Sequence, residues 1–273
     1  MPLQKLSEIA SRRELLVNLT LRELRGKYKR SFLGWGWSML NPLVSLLIYS
    51  LVFKFFLRIE PEVGDPSGLD SFAMFLLCAL LPYTFMVNIF MGGMGSLIGN
   101  DSLVKRVYFP REILVAANSA SWVVSFLIEL AVLAVVLAFF GNIVILWIPV
   151  VLALLVIQLV FAFGIALMLS TAAVYFRDLQ HLVGLALQAW FYTAPIVYPI
   201  AYVRNQLGED SFWFFVYNLN PATRFAEAYR DVLYDMRMPA WDHIAYLVIL
   251  AIVSLGLGMV VFNRLEGRVA DEL

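Results

Sequence analysis

The feature that most constrains this chain is the length of its uncharged runs. Every residue from Leu130 to Phe176 is uncharged, and so is every residue from Ser71 to Asn100. A helix of about 20 apolar residues crosses a hydrocarbon core about 30 Å thick, so runs of this length are typical of membrane-spanning helices. Only 15% of the 273 residues are charged, against roughly 25% in soluble domains. The sequence therefore predicts a membrane protein.

The apolar runs predict six transmembrane helices in one domain covering residues 1–273. The run over 130–176 is too long for one crossing, and Gly141-Asn142 supplies a tight turn that divides it. The predicted spans cover about 35–57, 71–95, 113–140, 143–173, 179–203 and 244–263. We therefore expect an all-α polytopic membrane protein.

The distribution of basic residues predicts the orientation of these helices. Six spans place the N-terminus, the 101–112 loop, the 175–181 loop and the C-terminus on one side of the membrane. That side carries 14 of the 20 Lys and Arg residues. Because cytoplasmic loops are enriched in Lys and Arg, both termini are predicted to be cytoplasmic.

Two segments outside the spans have patterns of their own. Residues 1–30 mix Leu with Arg22, Arg25, Lys27 and Lys29, which predicts an amphipathic helix in the membrane interface. The 205–235 region contains an uncharged stretch too short to cross, which predicts short re-entrant helices on the extracellular side.

The fifth predicted span contains two prolines. Pro195 and Pro199 lie in the stretch TAPIVYP, and each removes a backbone donor and favours a kink or a break in a helix. Broken helices at membrane depth are tolerated where they line a cavity or pack within protein. The pattern therefore points to a transport path.

Motifs for catalysis or metal binding are missing from the sequence. It contains no G-x-x-x-x-G-K-[ST], no G-x-S-x-G and no H-E-x-x-H. His181 and His243 fall on opposite predicted sides, and Cys78 is the only cysteine. We therefore expect no catalytic residue, no metal site and no enzymatic activity in this chain.

Glu129 is the only ionisable residue well inside a predicted span. Intramembrane carboxylates usually have a function. Two interpretations stay open: packing against polar neighbours such as Ser121 and Ser125, or a conformational role in a pore. A secondary carrier is disfavoured, because ion coupling normally needs more than one such group.

The segment SLVKRVYFPREIL, residues 102–114, interrupts two apolar stretches with a cluster of charges. One interpretation is an ordinary positively charged cytoplasmic loop. The other is a short amphipathic helix that docks on a soluble subunit. Transport by a chain without an ATP-binding motif requires such a partner to hydrolyse ATP.

Four stretches carry a resemblance to a known family. They are LTLRELRGKYKRSFLGWGWSMLNPL (19–43), SLVKRVYFPREIL, YFRDLQHL (175–182), and TAPIVYP followed by NLNPATRFAEAYRDVL (218–233). With these four stretches in this order, the chain resembles the permease subunits of ABC exporters that move polysaccharides and teichoic acids. The most similar subgroup is the O-antigen type known as Wzm, together with its relatives that export galactan.

The resemblance implies an assembly and a substrate. We expect a homodimer in the bacterial cytoplasmic (inner) membrane, bound to two copies of a separate nucleotide-binding ATPase. ATP and Mg would be bound by that partner, so this chain itself would hold no cofactor. The expected substrate is a polyprenyl-pyrophosphate-linked glycan, in contact with membrane lipids and without nucleic acid.

The resemblance also assigns site residues. The 101–112 segment would be a coupling helix that contacts the ATPase through Leu103, Val104, Lys105, Arg106, Tyr108, Phe109, Arg111 and Glu112. The cytoplasmic rim would hold Tyr175 and a pair formed by Arg177 and Asp178. Because sugar faces pack on aromatic rings, the glycan path is expected along Trp35, Trp37, Tyr49, Phe53, Phe191, Tyr192 and Tyr198.

Two other functions remain possible from the sequence. One is a drug or small-lipid exporter of the same superfamily, which shares the ATPase but needs no channel for sugars. The other is a membrane assembly protein without a transport cycle.

Overall fold

The computed structural model describes residues 12–29, 32, 34, 36–56, 58, 63–107 and 109–272. These residues form helices, turns and loops, and no strand occurs among them. The all-α prediction is confirmed. The α-helices in chain order are α1 (Arg13–Tyr28), α2 (Gly36–Tyr49), α3 (Phe72–Ile98), α4 (Asp101–Arg106), α5 (Glu112–Phe139), α6 (Ile148–Tyr175), α7 (Leu179–Thr193), α8 (Ile200–Leu207), α9 (Phe212–Asn218), α10 (Pro221–Arg230) and α11 (Trp241–Glu272).

Three short helical segments of other types extend these α-helices. A π-helical segment, Ser50–Phe56, continues α2, and a second, Asp231–Asp235, continues α10. A 3₁₀ turn, Val144–Trp147, leads into α6. The chain turns at Gly141, whose positive φ of 99° suits a residue without a side chain.

Four described helices are long and apolar enough to cross a membrane. They are Phe72–Ile98, Glu112–Phe139, Val144–Tyr175 and Trp241–Gly267. The ranges predicted as the first and fifth spans contain α2 with its π-helical extension, and α7 followed by a break and α8. The count of six spans therefore stays a prediction, while the chain is a multi-pass membrane protein.

Helix α3 lies at the centre of the bundle. Within its most apolar stretch 78% of the residues are buried, against 28% in α5 and in α11. It packs against α5, α6, α7 and α10. Its internal Pro82 accepts a hydrogen bond at 2.9 Å from Nε2 of the buried Gln158 on α6. The outer faces of α5, α6 and α11 remain apolar and exposed, as lipid-facing surfaces are.

Small residues let two helix pairs approach closely. A Cβ at Gly258 on α11 would lie 2.3 Å from the carbonyl oxygen of Gly164 on α6, and Ser254 Oγ donates to the Phe161 carbonyl at 2.8 Å. On the other side of α6, a Cβ at Gly93 would lie 2.7 Å from that of Ala166. Such contacts are typical of helix packing in membranes, where small residues bring backbones together.

Helix α1 differs from the sequence expectation in one respect. Its Leu19 and Leu24 are buried, and α1 packs along α5. Its apolar side therefore meets protein, whereas the sequence pattern suggested only a membrane interface. Residues 1–11 of the predicted interfacial helix lie outside the described residues.

Candidate functional site

The break in the fifth predicted span is buried and held by one side chain. Helix α7 ends at Thr193, and the next helix begins only at Ile200. Arg230, 4% exposed, donates Nη1 to the Pro195 carbonyl and Nη2 to the Ile196 carbonyl, the latter at 2.7 Å. Because backbone carbonyls freed by a helix break must find donors when buried, Arg230 makes this break possible.

The same guanidinium joins the break to two other elements. Arg230 Nε donates to the Phe75 carbonyl on α3 at 3.2 Å, and its Cζ lies 3.6 Å from the centroid of the Phe75 ring. Its Nη1 pairs with the Glu227 carboxylate at 3.0 Å. One buried cation thus connects α3, the break and α10.

The sequence prediction assigned no role to Arg230. A usable signal was present, because Ala226, Leu233 and Tyr234 put apolar residues three or four positions away on the same helix face. All three are buried. An arginine on such a face predicts a buried partner.

The π-helical segment Asp231–Asp235 is fastened by two loops. Asn142 Nδ2 donates to the carbonyls of Leu233 and Tyr234 at 3.3 and 3.0 Å. Ser67 Oγ donates to the Tyr234 carbonyl at 2.6 Å. Arg237 closes the segment through Nε and Nη2, which lie 2.7 and 2.6 Å from Asp231 Oδ1. These bonds hold the segment Asp231–Asp235 in a fixed position at this end of the bundle.

A cavity of about 600 Å³ lies between α2, α3, α5 and α7, next to the end of α1. It brings together Trp37, Tyr49, Phe191 and Glu129, which the sequence suggested separately, and adds Lys27. The other residues that line it are Ser45, Leu80, Leu81, Tyr83, Thr84, Val87, Asn88 and Trp122. Its wall is therefore a mixture of aromatic rings and hydrogen-bonding side chains.

The aromatic side of this cavity is one continuous cluster. Ring centroids are 5.7 Å apart for Tyr49 and Phe191, 5.5 Å for Tyr83 and Phe191, and 5.1 Å for Phe191 and Tyr192. Tyr198 donates its hydroxyl to the Tyr192 carbonyl at 2.9 Å. A second cavity of about 360 Å³ borders the cluster and includes Tyr192. The cluster runs from the central cavity towards the break.

Two residues assigned to the path cannot be placed. Trp35 lies outside the described residues, and the side chain of Phe53 is likewise not described, although its backbone belongs to the π-helical extension of α2.

Glu129 shares the cavity with a buried amine. Lys27 Nζ lies 3.2 Å from the centroid of the Trp122 ring and has no hydrogen-bond partner among the described residues. Burial lowers the pKa of Lys27 to about 7, although Glu23 and Glu129 act in the opposite direction. Ser121 and Ser125 donate to carbonyls of their own helix. The structure therefore places Glu129 at the cavity wall, facing the end of α1.

Within the 101–112 segment, α4 covers Asp101–Arg106, and Glu112 already belongs to α5. Pro110 explains this limit, because a proline disfavours helical backbone in the residue before it and lacks an N–H donor. Lys105 and Arg106 are exposed, and Leu103 is half-buried. The other residues of this set point inward or bond within the chain: Val104, Phe109 and Glu112 are buried, and Arg111 donates to the Glu266 carbonyl. Tyr108 lies outside the described residues.

The expected pair at the rim does not form. Arg177 and Asp178 are both exposed, and the described residues contain no ion pair between them. Adjacent residues at a helix start point in different directions, which keeps the two side chains apart. Tyr175 is fixed by a hydrogen bond from its hydroxyl to the Leu265 carbonyl at 3.3 Å.

The basic residues in and just after α1 differ in their contacts. Arg22 reaches Asn100 at the end of α3 through Nη2, and it pairs with Glu23 at 3.3 Å. Arg25 and Lys29 are exposed. Arg22, Arg25 and Lys29 line one hollow, and Lys105 and Arg106 are exposed on α4.

Comparison with known proteins gives a consistent result. The family model for the ABC-2 type transporter matches residues 14–234. The chain is 28% identical over 261 residues to an O-antigen export system permease protein RfbA of Klebsiella pneumoniae, with 95% of each chain covered. It is 27% identical to the RfbA of Myxococcus xanthus, covering 97% of this chain and 98% of that protein. It is 22% identical to the polysialic acid transport protein KpsM of Escherichia coli, covering 91% and 92% of the two chains.

Proposed function

Because this chain belongs to the ABC-2 type transporter family, we propose that it is the permease half of an ATP-driven exporter of a lipid-linked polysaccharide. Relatives named for O-antigen export and polysialic acid transport, matched over nearly their whole length, support the substrate class. The proposed location is the bacterial inner membrane, with both termini in the cytoplasm.

The aromatic cluster beside the central cavity carries the proposal of a glycan substrate. Tyr49 is half-buried and Tyr192 is exposed, so both offer ring surface on which the C–H faces of sugars can pack. The buried Phe191 packs against both rings, and Tyr83 lies behind it. Asn88 and Thr84 add hydrogen-bonding groups in the same wall. Repeated shallow contacts of this kind suit a polymer that slides past them.

A second copy of the chain would complete the path. Helices α2 and α7 meet at the Tyr49–Phe191 contact, and both carry exposed apolar side chains, including Leu47 and Leu185. In the proposed homodimer these faces meet across the pore, so that the two aromatic clusters line one channel.

ATP would be hydrolysed by a separate partner, since the sequence has no phosphate-binding loop. The proposed contact is made by Lys105 and Arg106 of α4 together with Arg25 and Lys29, and all four side chains are exposed. Closure of the ATPase pair would push α4, and α4 would transmit the displacement to α3 and α11, against which it packs.

Depletion of the chain in its own host tests this proposal. After depletion, lipid-linked glycan should accumulate in the cytoplasmic leaflet. In a separate purification of the tagged chain, an ATPase should copurify in equal amounts. Accumulation of a small lipid or drug, with normal glycan at the surface, would establish the small-substrate exporter instead. Absence of both the accumulation and the ATPase would establish an assembly protein.

A further inference from the structure

Glu129 is the only acidic side chain among the described residues that line the central cavity. It forms no hydrogen bond and no ion pair with any described residue. Ser121 and Ser125, the polar neighbours on its own helix, donate their hydroxyls to backbone carbonyls of α5. A carboxylate within an apolar helix usually has a function. Neither the fold nor the aromatic cluster accounts for this one.

The two charged side chains of the cavity differ in their access to its interior. Lys27 Nζ has almost no accessible surface and lies 3.2 Å from the centroid of the Trp122 ring. The Glu129 side chain is half-buried, and its oxygens are not among the described polar atoms that are buried without a partner. Because these oxygens also have no described partner, they are accessible. A solute in the cavity therefore meets the carboxylate, whereas the ammonium is covered.

The groups beside the carboxylate suit a sugar. Trp37 is 41% exposed and Tyr49 is half-buried, so both offer ring surface in the same cavity. Asn88 lines it as well, is half-buried and has no hydrogen-bond partner among the described residues. The cavity volume of about 600 Å³ lies within the range of about 300–1,000 Å³ that is typical of small-molecule sites. Ring surface, an amide and a carboxylate therefore surround a space large enough for sugar units.

The chemistry of a carboxylate gives it two effects on a glycan. Its oxygens accept hydrogen bonds from hydroxyl groups, and such charge-assisted bonds are stronger than bonds between neutral groups. An acidic group on a sugar would instead face a like charge in a cavity of low dielectric constant, where repulsion is stronger than in water. Burial lowers the pKa of Lys27 to about 7, so this amine offsets little of that repulsion above neutral pH.

We propose that Glu129 binds sugar hydroxyls in the central cavity and makes the exporter selective for glycans of uncharged sugars over acidic ones. The ring surfaces of Trp37 and Tyr49 hold any sugar, and Glu129 discriminates by favourable contact with hydroxyls and by repulsion of acidic groups. This assignment rests on the proposed function, because it names the class of glycan that passes through the proposed path.

Saturation-transfer NMR on the complete exporter in phosphatidylcholine nanodiscs tests the proposal at about pH 8. The acidic probe is tetragalacturonic acid. The neutral probe is the same tetrasaccharide with its carboxyl groups reduced to hydroxymethyl groups, so the two differ at these positions alone. Nanodiscs without the exporter give the background. The parent should bind the neutral probe at least about fivefold more tightly than the acidic probe.

Two substitutions separate charge from hydrogen bonding. Glu129→Gln keeps the shape but not the charge, so neutral-probe binding should stay within about threefold and the preference should fall below about twofold. Glu129→Leu removes the acceptor as well and should weaken neutral-probe binding about 3- to 10-fold. The matched control, Glu209→Gln, neutralises an exposed carboxylate that does not line the cavity. It should leave both affinities unchanged.

Three results would overturn the proposal: no binding above background, equal binding of the two probes by the parent, or an unchanged preference in Glu129→Gln. If Glu129→Leu lowers the melting temperature, the isosteric Glu129→Gln alone decides. The expected preference without glycan accumulation on depletion would refute the exporter function alone. Accumulation on depletion without any preference between the probes would refute the role of Glu129 alone.

Discussion

Nη2 of Arg230 lies 2.7 Å from the carbonyl oxygen of Ile196, and this bond closes the backbone of a broken helix with a side chain that comes 34 residues later. The neighbouring Pro195 carbonyl accepts from Nη1 of the same guanidinium. The break therefore depends on one residue of α10 and has a fixed shape as long as that residue is present.

Replacement of Arg230 by Met should destabilise the protein strongly. The change leaves the carbonyls of Phe75, Pro195 and Ile196 without this donor and leaves the half-buried Glu227 without its cation. Loss of one partner of a buried pair costs about 3–5 kcal/mol. Thermal unfolding in detergent measures the effect. Arg204→Met, at an exposed position of α8, is the control, and an equal loss in both variants would contradict the role of Arg230.

Gly258→Ala should separate α6 from α11. The added methyl would lie 2.3 Å from the Gly164 carbonyl oxygen, and overpacking of this kind costs about 1–3 kcal/mol. Gly256→Ala adds the same methyl two residues earlier, where nothing lies within 4 Å. Gly258→Ala should therefore have the lower melting temperature of the two variants. A loss confined to Gly256→Ala would contradict the close approach of α6 and α11 at Gly258.

A double charge reversal, Lys105→Glu with Arg106→Glu, should prevent recovery of the ATPase with the permease. Both side chains are exposed, so the unfolding free energy of the isolated permease should stay within about 0.5 kcal/mol of that of the parent. Phe109→Ala should behave differently, because Phe109 is buried: it should lower both stability and coupling. Full ATPase recovery with the double reversal would show that Lys105 and Arg106 of α4 do not contribute to the contact with the ATPase.

Lys27→Met should abolish a pH dependence of α1 docking. Burial lowers the pKa of Lys27 to about 7, so between about pH 7 and the ordinary lysine range the undocked state binds more protons than the docked state. Docking of α1 should therefore strengthen as pH rises from 7 towards 10, and it should be weakest at and below pH 7. Hydrogen exchange of residues 13–28 measures this at each pH. After correction for the intrinsic exchange rate, protection of α1 in the Met variant should not change with pH. Equally constant protection in the parent would contradict the effect of burial on the Lys27 pKa.

The apolar helices could be predicted from the sequence because their signals are local. Uncharged runs mark the long helices, and the Gly141-Asn142 pair marks the turn between two of them. The aromatic residue types of the path were also recognisable, and Trp37, Tyr49 and Phe191 do meet at one cavity. Their meeting point was not predictable, since it depends on how α2, α3 and α7 pack.

The missed features depend on contacts between distant residues. Arg230 looked like a topological charge because its acceptors, Phe75, Pro195 and Ile196, are carbonyls that carry no sequence signal. Phe109 looked like a docking residue, yet it is buried within the chain. Composition shows which side chains are available, but only packing decides whether each one faces a partner or the core.

The position of Arg230 also sets an order in the making of the protein. Chains are synthesised from the N-terminus at about 5–20 residues per second, so Phe75 and the Pro195–Ile196 break are in place before their common donor exists. Until residue 230 has been added, the growing chain lacks the guanidinium that binds the Pro195 and Ile196 carbonyls in the folded protein. The segment that fixes the break is therefore completed late in synthesis, and chains that stop before Arg230 lack the donor for both carbonyls of the break.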